Sequence, residues 1–156
     1  MGRTAFSDLV GYKEDYHAWL LEQIELLKAE RFDALDIENL IDELRTLSNM
    51  TKREIDHRLS ILLQHLLKWN FQPSSRSNSW RATIIEQRYR IGRELADSPS
   101  LRRYPSEILA EEYVIARLRA ADETGLPLER FPEKCPYTAA QTLDESFWPG
   151  GAGIEK

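Results

Sequence analysis

The sequence has few of the features that mark a secreted, membrane-spanning or metal-dependent chain. It contains one cysteine, Cys135, in 156 residues, which excludes an intramolecular disulfide. No apolar run approaches the roughly 20 residues that a membrane-spanning helix needs. The first thirty residues show no basic stretch followed by an apolar one. We therefore expect no secretory signal, no membrane association and a cytoplasmic location.

Motifs that carry chemistry are also scarce. The sequence shows no nucleophile with a suitably spaced base, no glycine-rich phosphate loop and no complete set of metal ligands. Glu54 and His57 have the Glu-x-x-His spacing of helical di-iron proteins, but no second copy of the motif accompanies them. The helical spacing also places His57 on the solvent-facing side of the helix. We therefore expect neither a metal nor another cofactor.

The composition that remains is typical of a helical globule, with 42% hydrophobic and 30% charged residues. Apolar residues recur in steps of three and four, and no segment alternates as a half-buried strand does. The sequence predicts an all-α fold, an antiparallel helical bundle. We expect a single domain over residues 1–149 and a disordered tail over 150–156.

The first two helices are predicted over residues 13–29 and 37–69, with Asp36 as the N-cap of the second. The second helix is long for a small domain, and it contains a capping-box spacing. A kink or tight turn near Ser48 is therefore the competing interpretation. Its predicted apolar face consists of Ile37, Leu40, Leu44, Leu47, Thr51, Ile55, Leu59, Leu62, Leu66 and Trp69.

Two further helices are predicted from their end signals. Ser79 is the predicted N-cap of the third, which ends near Asp97. Pro105 lies in the first turn of the fourth, and Gly125 stops it. Residues 126–149 combine four prolines with aromatic and aliphatic side chains. They predict an irregular C-terminal segment that packs across the bundle.

Positive charge is concentrated in the middle of an acidic chain. Residues 68–103 carry eight Lys or Arg against three Asp or Glu, although the net charge of the chain is −5. An acidic protein partner or phosphate groups suit such a segment, while internal ion pairs compete for the same guanidinium groups. Tryptophans flank a serine-rich turn in this segment. The candidate binding residues are Trp69, Gln72, Arg76, Trp80, Arg81 and Arg88.

His65 is the candidate for proton transfer near neutral pH. An enzyme hypothesis uses His65 with Arg76 or Arg88 as an anion clamp. No Ser, Cys or Asp of defined spacing accompanies this histidine, so a structural role is the preferred interpretation. Cys135 has no histidine near it in sequence and is interpreted as a small buried residue.

Several motifs are specific in order and spacing. They are Tyr16-His17-Ala18-Trp19, residues 36–44, residues 65–69 with Gln72-Pro73, Ser79-Trp80-Arg81, residues 98–101, residues 123–126, Cys135-Pro136-Tyr137 and Phe147-Trp148-Pro149. Over about residues 10–149 the chain resembles a bacterial family catalogued as domain of unknown function twenty-nine. The resemblance implies a helical fold and a bacterial origin. It implies no activity and supplies no catalytic residue.

Together these features favour a non-enzymatic protein–protein interaction module. Its predicted recognition surface is the end of the bundle from Trp69 to Arg81. Binding of nucleic acid or a phosphorylated ligand through residues 68–103 is the alternative, and an enzyme that uses His65 is a second one. The identity of the partner and the oligomeric state stay open.

Overall fold

The computed structural model describes residues 9–151, and within that range its regular secondary structure is entirely helical. The all-α prediction is confirmed. The helices are α1 (Tyr16–Lys28), α2 (Ile37–Phe71), α3 (Asn78–Asp97), α4 (Tyr104–Thr124) and the short α5 (Ala139–Leu143). Short 3-10 turns lie between them at Phe32–Ala34, Pro73–Ser75, Pro99–Leu101 and Leu128–Arg130.

The described chain divides into two compact units, residues 9–49 and 50–151. The single domain expected over 1–149 stays a prediction. Of the tail predicted over 150–156, residues 152–156 lie outside the described residues. In the part of the chain that is described, no helix is both long and apolar enough to cross a membrane.

The helix ends follow from local chemistry. α2 continues without a break at Ser48, because its apolar positions keep one phase and the internal capping-box spacing is not used. Asp36 precedes α2, and its Oδ1 accepts from the Asn39 amide. Gly125 ends α4 at a φ of 69°, a conformation that glycine adopts without strain.

The predicted cap of α3 was wrong by two residues. The Ser77 hydroxyl accepts from the Trp80 amide at 3.1 Å, so Ser77 is the N-cap and Ser79 lies inside the first turn. Ser77 has an extended backbone, with φ −136° and ψ 161°, which suits an N-cap. Asn78 is already helical, and this excludes Ser79 from the cap position.

The first unit is a helical hairpin of α1 and the beginning of α2. Tyr16 and Tyr12 donate hydrogen bonds to the Glu43 carboxylate, and the Trp19 indole donates to Asp36. The contacts run in opposite order along the two helices, so the helices are antiparallel. Gln23 completes the hairpin by accepting from the Asp36 amide at 2.8 Å.

The burial predicted for the α2 apolar face is wrong in this unit. Leu44 is 64% exposed and Leu47 is 59% exposed. The first residue of α1, Tyr16, lies level with Glu43, so α1 does not extend along α2 as far as Leu47. Leu44 lies about 90° around α2 from Asp36 and Glu43, the residues that contact α1, so α1 does not cover it.

The second unit contains the hydrophobic core, and here the α2 apolar face is buried as predicted. Arg58 of α2 donates to Gln87 of α3, and Tyr104 of α4 donates to Asp56 of α2. Phe147 and the aromatic residues near it pack on the same core. The buried cluster comprises Ile55, Leu59, Leu62, Leu63, Leu66, Leu67, Trp69, Ile84, Ile91, Ile108, Tyr113, Ala116, Ala120, Phe131 and Tyr137.

Candidate functional site

The turn between α2 and α3 is fixed by Arg76. Its Nε donates to the Trp69 carbonyl at 2.8 Å, and its guanidinium carbon lies 4.9 Å from the centroid of the Trp69 ring. The carbonyl is one of those that a helix leaves unpaired near its C-terminus. Arg76 therefore completes the end of α2, which is a local structural function for a residue predicted to bind a partner.

Trp69 also joins this turn to the C-terminal segment. Its ring centroid lies 4.9 Å from that of Trp148, and the Arg88 guanidinium lies 5.4 Å from the Trp148 ring. Arg76, Trp69, Trp148 and Arg88 thus form a continuous series of cation–ring, ring–ring and ring–cation contacts, called the tryptophan–arginine stack below, in which the two rings are tilted by 53°. Aromatic and cation–π contacts of this kind each contribute about 0.5–1.5 kcal/mol.

Arg88 is the most deeply buried cation in the stack, with only 4% of its surface exposed. Its Nε donates to the Thr142 carbonyl at 2.8 Å and its Nη2 donates to the Phe147 carbonyl at 2.7 Å. Burial lowers the pKa of Arg88, while the charges of Asp144 and Glu145 oppose that shift. Internal pairing with carboxylates was the alternative to partner binding that the sequence left open, and the guanidinium binds main-chain carbonyls instead.

Lys68 and Trp80 form a second contact across the turn. The Lys68 ammonium lies 4.5 Å from the Trp80 ring centroid and donates to Glu123 of α4 at 2.6 Å. Trp80 is half-buried, so it is not the fully buried residue that its place on the apolar face suggested. Gln72 donates to the Thr124 carbonyl at 3.4 Å and remains partly accessible.

Arg81 is the predicted binding residue that remains exposed, and no ion pair engages it within residues 9–151. It lines a shallow groove of about 420 Å³ along the outer face of α3. Ile85 and Tyr89 line the same groove and are 47% and 58% exposed. Asn78, Ala82 and Glu86 complete its walls. An exposed aromatic, an exposed aliphatic and an unpaired cation therefore share one helix face.

The structure thus separates the six predicted binding residues by exposure. Trp69 and Arg88 are buried, Gln72, Arg76 and Trp80 are half-buried, and Arg81 is exposed. Whether they bind a partner stays a prediction. Ile85 and Tyr89 were not among the predicted binding residues. Their four-residue spacing, out of phase with the apolar face of α3, was the available signal.

The contacts of His65 agree with a structural role. Its Nδ1 lies 2.8 Å from the Ile61 carbonyl, so this nitrogen carries the proton. Burial lowers the pKa of His65, against the effect of that hydrogen bond. The guanidinium groups of Arg76 and Arg88, proposed as its anion clamp, already bind main-chain carbonyls.

The other chemical candidates are engaged in local contacts. Glu54 pairs with Arg58 on α2, and His57 is exposed. Cys135 donates to the Tyr137 carbonyl at 3.3 Å, and burial raises the pKa of its thiol, which disfavours the reactive thiolate. Among residues 9–151, no group of three or more His, Cys, Asp or Glu side chains is placed to hold a metal ion.

The fold and this surface define an all-helical protein with a tryptophan–arginine stack beneath an exposed helix face. The chain belongs to the family described as domain of unknown function DUF29, which it matches over residues 11–148. The match includes every residue of the stack and of the groove. No curated protein and no solved structure matches the chain significantly.

Proposed function

We propose that this protein is a non-enzymatic protein–protein interaction module of the bacterial cytoplasm. In this proposal the chain is an antiparallel helical bundle that carries an irregular aromatic, proline-rich C-terminal segment. The recognition surface extends from the turn at Pro73–Ser75 along the outer face of α3. The observation that carries the proposal is the juxtaposition of Arg81, Ile85 and Tyr89 around one groove.

The residues of this surface suit a protein partner with acidic character. Arginine and tyrosine are among the side chains that contribute most to protein interfaces, because they combine a large contact area with hydrogen-bonding groups. Ile85 adds apolar surface that water solvates poorly. Arg81 has no carboxylate to neutralise it in the described chain, and so it is available to a partner carboxylate.

Binding of nucleic acid through residues 68–103 has less support. Five of the eight cations of this segment are already engaged by carboxylate, carbonyl or hydroxyl oxygens. They are Lys68, Arg76, Arg88, Arg90 and Arg93. Strong binding to phosphates requires several free cations on one face. Weak or absent retention on heparin at low salt is therefore the expected result.

The test begins with affinity purification from the native host and continues with the purified partner. We expect Arg81→Ala and Tyr89→Ala each to weaken binding about tenfold or more, as truncation of an interface hot spot does. Arg102→Ala is the matched control, because Arg102 is an exposed arginine that does not line the groove. A partner whose affinity ignores both Arg81→Ala and Tyr89→Ala would refute this surface.

A further inference from the structure

The outer side of α3 carries a seam of exposed residues that continues the groove towards the end of the helix. The seam residues follow one another in steps of three and four: Ala82, Ile85, Tyr89, Gly92 and Ala96. Such steps average about 3.5 residues, the repeat that keeps one side of a helix against a second helix. The seam is about 21 Å long at 1.5 Å per residue. Its first three residues line the groove.

Gly92 is the unusual residue of this seam. It lies inside α3, where glycine is a weaker helix former than alanine. Its φ is not positive, and a β-carbon added to it would meet nothing within 4 Å. Neither the backbone nor a neighbouring group within residues 9–151 therefore calls for a glycine at this position. A second backbone that passes close to α3 does, because a residue without a side chain lets the two chains approach.

Arginines lie on both edges of the seam. At about 100° per residue, Arg81 lies about 60° around α3 to one side of the seam and Arg93 about 60° to the other. Neither forms an ion pair within residues 9–151. Arg93 donates to the Tyr89 hydroxyl at 3.2 Å, which holds its guanidinium beside the seam. Both edges therefore offer a cation to a partner.

The carboxylates of α3 lie further from the seam. Glu86 is about 80° away from it and is neutralised by Arg90 at 2.8 Å. Glu94 and Asp97 are about 100° or more away, although their charges act on Arg93. The surface next to the seam is thus apolar with positive edges. Acidic side chains complement such edges, and basic ones are repelled by them.

We propose that the partner contributes an amphipathic α-helix with acidic edges, which packs lengthwise along this seam; the proposal rests on the interaction function given above. Insertion of the apolar face of a helix into a groove is a recurrent mode of recognition. Aliphatic side chains of the partner pack beside Ile85 and Tyr89, and its backbone comes closest at Gly92. Arg81 and Arg93 are about 18 Å apart along α3. The carboxylates that meet them are therefore about three turns apart in the partner.

Photo-cross-linking of the full chain in a lysate of the native host tests where the partner lies. The controls are Arg90, on another side of α3, and Ala110, an exposed alanine of α4. We expect one and the same partner at all seam positions and no adduct at the controls. Mass spectrometry should place the contact residues of the partner three and four apart on one acidic peptide. p-Benzoylphenylalanine replaces one residue at a time, at the two controls and at Ala82, Ile85, Gly92 and Ala96.

The pattern of adducts separates the helical partner from the interaction function itself. Adducts at Ala82 and Ile85 without adducts at Gly92 and Ala96 would keep the groove as an interface and overturn the lengthwise helix. Adducts at none of the four seam positions would overturn both. Adducts of the chain with itself, at about twice 18.2 kDa, would overturn the acidic partner. So would a cross-linked peptide that lacks Asp and Glu.

Substitution at Gly92 tests the close approach of the two helices. Gly92→Leu should raise the dissociation constant for the purified cross-linked partner about tenfold or more, because the new side chain overfills the contact. Ala110→Leu is the matched control and should bind as the wild type does. Gly92→Ala should melt at a higher temperature than the wild type, since alanine is the better helix former. Unchanged binding by Gly92→Leu, or a lower melting temperature for Gly92→Ala, would overturn the proposed contact.

Discussion

Arg88 Nη2 donates a hydrogen bond to the Phe147 carbonyl over 2.7 Å, which ties α3 to a residue 59 positions later in the chain. A second hydrogen bond runs from Arg88 Nε to the Thr142 carbonyl. The two bonds hold both ends of the segment between α5 and Trp148. Arg88 therefore has a structural role, because it joins α3 to Thr142 and Phe147 of the C-terminal segment.

Arg88→Ala should lower the free energy of unfolding by about 3 kcal/mol, because it removes two hydrogen bonds from a charged donor and leaves two carbonyls unpaired. Arg88→Lys should restore little, since an ammonium cannot reproduce the two directed donations of a guanidinium. Urea unfolding measures both effects. Arg81→Ala is the control and should stay within about 0.5 kcal/mol of the wild type. A loss below about 1 kcal/mol for Arg88→Ala would contradict this role.

The tryptophans on either side of the turn should differ in their effect on stability. Trp69 is only 3% exposed, so Trp69→Ala should cost about 3–5 kcal/mol. Trp80 is half-buried, and Trp80→Ala should cost about half as much or less, which includes the lost contact with the Lys68 ammonium. Thermal or chemical unfolding ranks the two variants. An equal loss from both would mean that Trp80 is as buried as its sequence pattern suggested.

The sequence predicted what depends on local periodicity and on backbone preferences. The phase of the apolar positions predicted α2 through Ser48, and Gly125 predicted the end of α4. Both effects act within a few residues. The N-cap of α3 was misplaced because Ser77 and Ser79 are equally good caps by composition, and the backbone of Asn78 decides between them.

The candidate site was less predictable, since it depends on contacts distant in sequence. Arg88 was predicted to bind a partner, but the carbonyls that it contacts in the fold belong to residues 54 and 59 positions away. Periodicity alone assigned Leu47 to a buried face, yet burial depends on how far a neighbouring helix extends. No pattern in the sequence gives that length. These contacts became evident only from the fold.

His65 provides a direct test of the structural role. Burial lowers its pKa, so we expect the imidazole to be neutral at pH 7 with its proton on Nδ1, hydrogen-bonded to Ile61. Nitrogen chemical shifts in an NMR titration report both the tautomer and the pKa. The folded-state pKa of His65 lies below the ordinary value of 6.5. The stability that His65 contributes is therefore complete above pH 6.5 and is lost as the pH falls through the folded-state pKa. A pKa above 6.5, or a proton on Nε2, would reopen the enzyme hypothesis.

Lys68 and Glu123 join α2 to α4 by an ion pair of unequal exposure. The Lys68 side chain is 6% exposed and that of Glu123 is 49% exposed. The hydrogen bond from Lys68 lowers the pKa of Glu123. Loss of the Glu123 carboxylate would therefore leave the buried Lys68 ammonium with its cation–π contact to the Trp80 ring but without a counter-charge.

Because the folded-state pKa of Glu123 is depressed, its contribution is complete above the unfolded-state value of about 4.5 and is lost as the pH falls through the folded-state value. Glu123→Gln should lower the free energy of unfolding by about 1–2 kcal/mol at pH 7, less than the 3–5 kcal/mol of a fully buried pair. The difference should shrink as the pH falls through the depressed folded-state pKa, because the wild-type carboxylate then takes up a proton. Lys68→Met in the Glu123→Gln background should recover most of the loss, since it removes the unpaired charge.

Glu86→Gln, in an exposed pair, is the control. Urea unfolding between pH 3 and 7 measures the series, and a loss from Glu123→Gln that stays constant over this range would show that the ion pair does not stabilise the fold.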